Sequence, residues 1–282
     1  VTGNKELDNY LLNDADISYG TLQTFKNNLH NYRLESPYKS IDEFLTEVAT
    51  FPEYEDWRED YLHIGRMAIL FELTGWEGEF KNTFEFENVK HTWVFEIIKC
   101  LEENDILNHY TDTGKTPEKR SLKILTFNYD RTLEHCLTEY YRGSKYEYAI
   151  SVFIKNHIKH VYSELGFNTP DAFPFGERKF GIMRDSLDKI RVSYNTRNIN
   201  EDLAGAFSVH DANYVGSIGF SFDYFNCRHI GFSNWRGVVK ANVVTPEPAG
   251  TFKNRRQMTT TIRNMYRDVE FKYGSCKDFL KY

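Results

Sequence analysis

No two of the four cysteines, Cys100, Cys136, Cys227 and Cys276, stand at C-x-x-C spacing. Tetrahedral zinc needs four soft ligands drawn close together, and this chain cannot supply four thiolates that way. Scattered cysteines also argue against a disulfide framework and for a reducing cytoplasm. There is no HExxH or comparable histidine spacing, so no metal is expected. No apolar run approaches the roughly 20 residues of a membrane-spanning helix. Internal repeats and low-complexity linkers are lacking too. An excess of positive charge is also missing: the formal charge of −6 argues against a whole-domain electrostatic grip on nucleic acid. The local exception is Lys253, Arg255, Arg256, Arg263 and Arg267 near the C-terminus. Arg256, Arg263 and Arg267 recur at near-helical spacing, which suits either a solvated helix face or a contact with an acidic partner or phosphates.

What is present describes a folded chain. A length of 282 residues, 40% of them hydrophobic and 16% aromatic, is enough for one large domain or two small ones with a substantial core. Residues 5–113 read as mainly helical. Trp57, Tyr61, Ile64, Met67, Ala68 and Phe71 recur in three- and four-residue steps, and so do Val89, Trp93, Ile97, Cys100, Leu101 and Ile106. These positions read as core. Residues 112–120, rich in Thr, Lys, Gly and Pro, mark a boundary. From 121 onward strands and helices alternate. Strands are expected near 122–127, 158–162, 190–194, 214–219 and 238–244, and helices near 130–141, 200–211, 225–230 and 254–267. The expected fold is α/β: a mainly helical region over 1–120, then a Rossmann-like parallel sheet over 121–282. Residues 163–183 carry Gly166, Pro170, Pro174, Gly176 and Gly181, and read as either a functional loop or a solvent loop.

The stretch at 124–130, ILTFNYD, is a short apolar run ending in Thr126, Asn128 and Asp130. That is the pattern of a buried strand delivering polar side chains at its tip, where open α/β sheets bind ligands. The plainer reading is a strand-to-helix turn with an Asx cap. Further on, HIKHVY at 157–162 alternates like a strand, with His160 near its end and His157 on the opposite parity. YVGSIGFSFDYFN at 214–226 supplies Gly219, Ser221, Asp223 and Asn226 after another apolar strand. Thr-x-Asn-x-Asp, then His, then Gly-x-Ser, in that order, resembles the sirtuin-like NAD-binding domains. The closest likeness is to the bacterial branch found in anti-phage defence proteins, which hydrolyse NAD. SIDEFL at 40–45 resembles the same branch.

The resemblance implies roles. Asn128 would orient a water or the ribose hydroxyls, and His160 would be the general base, with His157 as its rival. Thr126, Asp130, Gly219, Ser221 and Asn226 would hold the cofactor, Asp130 on the ribose side. NAD+ would be the substrate, with no metal. Deacetylation is disfavoured, since deacetylating sirtuins usually carry the zinc module that this chain cannot build. The family's opening strand and Gly-rich phosphate loop have no counterpart here. Thr113-Gly-Lys-Thr116 only imitates a P-loop: His109 stands where its first glycine belongs, and Pro117 follows. The expectation is therefore either a further segment preceding Val1 that completes the sheet or an unoccupied slot beside 122–127. The expected activity is NAD+ hydrolysis in a defence assembly, as a homo-oligomer or with another defence protein. The alternative is a catalytically weak NAD- or nucleotide-sensing or scaffold domain. Nucleic acid would be reached only through a partner or the C-terminal basic face.

Overall fold

A computed structural model describes residues 4–35, 40–90, 92–108, 110, 122–163, 165–167 and 172–192, and the backbone of three further strands. In chain order the helices before the first strand are α1 (Lys5–Asn13), α2 (Tyr19–Glu35), α3 (Ile41–Thr50), α4 (Arg58–Thr83), α5 (Phe86–Val89) and α6 (Trp93–Glu103). Then come β1 (Ile124–Thr126), α7 (Thr132–Tyr141), α8 (Glu147–His157), β2 (Ile158–His160) and α9 (Phe180–Arg184). The last three elements are β3 (Val215–Ile218), β4 (Ala241–Thr245) and β5 (Val269–Tyr273). The class is mixed α and β, and the described residues are predominantly helical. No described helix is long and apolar enough to cross a membrane.

Two compact units weave through the chain. One comprises Val1–Phe84, Leu125–His135 and Ile158–Thr196; the other comprises Glu85–Ile124, Cys136–His157 and Arg197–Tyr282.

The first unit is built around α4. Its 26 residues span about 39 Å at 1.5 Å per residue. Tyr61, Ile64, Met67, Leu70 and Phe71 are all buried, so apolar side chains leave the helix in several directions, as a central helix requires. Helix α3 begins in a capping box: Glu43 N–H donates to Ser40 Oγ, and Ser40 N–H donates to Glu43 Oε2. That reciprocal pair satisfies two otherwise orphaned donors and starts the helix at Ile41. Phe44, Leu45 and Val48 then face the core. At Gly65 of α4 a Cβ would meet Leu45 Cδ2 at 2.4 Å, so the absence of a side chain lets α3 sit close. Phe25, Phe44 and Tyr61 meet edge to face or tilted, with the Phe25 ring 5.6 Å from Phe44 and 5.3 Å from Tyr61.

Strands β1 and β2 form a two-stranded parallel sheet, with Val161 N–H donating to Thr126 O at 2.9 Å. The strand expected near 190–194 is reduced to an isolated antiparallel bridge between Ile190 and Ser163. A 3-10 turn at Leu187–Lys189 runs directly into it. Ile190 and Val192 are buried, which explains why their alternation reads as a strand. Residues 193 and 194 lie outside the described residues.

In the second unit, the helical spacing read from Val89 through Trp93 to Ile106 is broken after Val89, and α6 restarts at Trp93. Val94, Ile97, Ile98 and Leu101 form its buried face. Strands β3, β4 and β5 form a parallel sheet in that order, with Val215 opposite Ala241 and Ala241 opposite Val269. Strands β3 and β4 fall where the sequence places strands; β5 was not anticipated. Among the described residues the strands thus make two sheets. The helices expected near 200–211, 225–230 and 254–267, and the C-terminal basic residues, lie outside the described residues.

Candidate functional site

The tip of β1 is shaped by short-range polar bonds. Thr126 Oγ1 accepts from Asn128 N–H at 3.1 Å, turning the chain as it leaves the strand. Asp130 Oδ1 accepts from Thr132 N–H at 3.3 Å and from the Thr132 hydroxyl, an Asx turn at the entry to α7. Between these turns the Asn128 side chain is exposed.

His160 ends β2 and lies against this tip. Its Nδ1 is 2.7 Å from the backbone oxygen of Asn128, and its Nε2 is 2.6 Å from Glu134 Oε1 on the first turn of α7. Burial alone would lower the imidazole pKa. The hydrogen bond and charge of Glu134, the Asn128 carbonyl and the charge of Asp130 outweigh burial and raise it. The structure therefore brings Asn128, Asp130 and His160 together, with Thr126 shaping the turn. It also engages both nitrogens of the residue expected to serve as base.

His157 does not share this environment. Helix α8 continues through it, so it ends a helix instead of belonging to the strand read over 157–162. Ala149, Ile150, Phe153 and Ile154 are buried at helical spacing and carry the helix that far. The His157 ring is buried, with Nε2 2.5 Å from the Tyr110 hydroxyl. Burial pushes the Tyr110 phenol up to about 12.

Two supports behind the tip were not apparent from the sequence. The first is Tyr129, whose hydroxyl donates to Asp42 Oδ1 at 2.6 Å and also lies 3.2 Å from the carbonyl of Arg191. Burial, reinforced by the charge and hydrogen bond of Asp42, holds the Tyr129 phenol well above its ordinary value. Asp42 is itself raised: burial outweighs the opposing Tyr129 bond, and the charge of Glu43 adds to it. This contact joins the SIDEFL and NYD stretches.

The second support is Arg131, 1% exposed and paired with Glu77 of α4, 0% exposed. Arg131 N–H and Nε–H both donate to Glu77 Oε1 at 3.0 Å, and Nη2 donates to Oε2 at 2.6 Å. Nη1 donates to the carbonyls of Gly166 and Phe173. Gly176 N–H adds a further bond to Glu77 Oε2 at 3.2 Å. The pair is thus well supplied with hydrogen bonds, the condition for burying charge. It draws the loop after β2 onto α4, where the backbones of Gly78 and Gly176 touch. A Cβ on Gly78 would lie 2.8 Å from Gly176 O, and Gly176 has φ +70°. Leu165, Phe173 and Met183 are buried and anchor the described part of 163–183 to the core, while Gly166, Arg178, Lys179, Gly181 and Ile182 stay exposed.

Gly219, Ser221 and Asn226 lie outside the described residues; β3 ends one residue before Gly219. Among the described residues no group of His, Cys, Asp and Glu is arranged to hold a metal ion. Comparison with models of protein families, with curated proteins and with solved structures returned no match.

Proposed function

We propose that this chain is a cytoplasmic NAD+ hydrolase of bacterial anti-phage defence, built on a Rossmann-like, sirtuin-like domain and acting by NAD depletion in a homo-oligomer or with another defence protein. The observation that carries the reading is the exposed Asn128 side chain at the tip of β1, with Asp130 in the following turn and His160 of the adjacent strand beside it. Polar groups gathered at the carboxyl ends of neighbouring parallel strands are what a ligand held on an open α/β sheet meets. Breaking the nicotinamide–ribose bond leaves an oxocarbenium-like ribose. Water adds at that carbon, nicotinamide departs as a neutral base, and one proton is released. The protein's tasks are to hold the ribose, align the water and keep bulk water away. Asn128 suits the alignment, because its carboxamide both donates and accepts. Gly219, Ser221 and Asn226 would complete the cofactor contacts.

The second reading is a catalytically weak domain that senses NAD or a related nucleotide, or serves as a scaffold. It is favoured by the engagement of both His160 nitrogens. Asn128→Ala separates the two. If the chain is a hydrolase, the variant keeps its fold and loses nicotinamide release by about 10²-fold or more, the scale of a lost positioning group. A folded Asn128→Ala protein with unchanged turnover removes Asn128 from the mechanism.

A further inference from the structure

Both backbone polar groups of Asn128 are tied by side chains. Its N–H donates to Thr126 Oγ1 at 3.1 Å, and its carbonyl faces His160 Nδ1 at 2.7 Å. A carbonyl can only accept, so Nδ1 carries a proton. Nε2 meets Glu134 Oε1 at 2.6 Å, and Glu134 is 3% exposed, its other oxygen lacking a hydrogen-bond partner among the described residues. The 2.6 Å contact has ion-pair geometry, in which the carboxylate oxygen accepts and Nε2 donates. Asp130, the other charged group acting on the ring, is also acidic and favours its protonated form. A ring that donates from both nitrogens has no lone pair left for a water proton, and a general base needs one.

Building on the hydrolase reading, we propose that His160 is a positioning residue: an imidazolium, held between Glu134 and the Asn128 carbonyl, that fixes the tip of β1 so that the Asn128 carboxamide projects, and that takes no proton from the attacking water. The proton released in hydrolysis then goes to the Asp130 carboxylate or to solvent.

The discriminating variant is His160→Asn in the full chain. Its amide nitrogen occupies nearly the place of Nδ1, so it keeps the donor to Asn128 O while carrying no titratable group. Nicotinamide release from NAD+ should stay within about tenfold of wild type, with the acid limb of the pH–rate profile unchanged. His160→Ala, which has no donor, should lose about 10²-fold or more. If His160 is the base, His160→Asn falls as far as His160→Ala, by about 10²–10⁴-fold, and the acid limb disappears; that result overturns the proposal. A second measurement does not depend on turnover. Imidazole 15N shifts at neutral pH should show both nitrogens protonated, and the carbonyl 13C shift of Asn128 should move in His160→Ala but not in His160→Asn. An unprotonated ring nitrogen overturns the proposal whatever happens to NAD+. A doubly protonated ring in a protein inert towards NAD+ sinks the hydrolase reading and leaves the clamp on Asn128 standing.

Discussion

At the scale of single residues, His160 ties chemistry to stability. Its pKa is raised in the folded chain, mainly because Glu134 outweighs the cost of burial. A raised folded value favours the protonated form of the folded state. The resulting stabilisation is fully present below the unfolded value, near 6.5, and is lost as pH rises through the folded value. Asp42 is also raised and has the same sign, but its window opens near the lower, carboxylate value. Comparing wild type with His160→Asn isolates the histidine. The stability difference favouring wild type should be largest below about pH 6 and shrink as the pH rises above 6.5. Urea melts at a series of pH values would read it. A difference that grows with pH would mean that the ring is held neutral.

At the scale of elements, the Glu77–Arg131 pair fastens three pieces: α4, the turn entering α7, and the loop that carries Gly166, Phe173 and Gly176. Glu77→Ala leaves a buried guanidinium without its counterion, which costs about 3–5 kcal/mol. For a chain of this size that corresponds to a fall in Tm of roughly 2–4 °C per kcal/mol. Calorimetry should show the transition lowered by about 10 °C. A shift of a degree or less would mean that the pair is solvated and the loop is held by its apolar residues alone. None of this was legible in the sequence. Arg131 directly follows the NYD motif, and its partner lies 54 residues away. The Tyr129–Asp42 bond spans 87 residues and was equally invisible. Local patterns were readable where local forces decide: β1, β2 and α7 fall within the expected stretches because short apolar runs and amphipathic spacing specify them. At His157 two patterns compete. The alternation over 157–162 suggests a strand, but four buried residues at helical spacing carry α8 through His157.

At the scale of the whole molecule, the two compact units interleave along the chain instead of following one another. The described residues of the proposed site, Asn128, Asp130, Glu134 and His160, all belong to the first unit. Their geometry can therefore be read without reference to the second. The helices described between Lys5 and Glu103 were legible, since aromatic and aliphatic spacing over several turns is a strong signal. How the chain returns at 125–135 and 158–196 to complete the first unit was not, because it depends on contacts between distant residues. NAD+ hydrolysis is tested most directly by NMR in the presence of the full chain, reading the nicotinamide protons and the ribose anomeric proton against the Asn128→Ala protein. Nicotinamide and ADP-ribose should accumulate equally with wild type, and little or not at all with the variant. NAD+ that persists unchanged in the presence of folded wild-type protein would contradict the hydrolase reading.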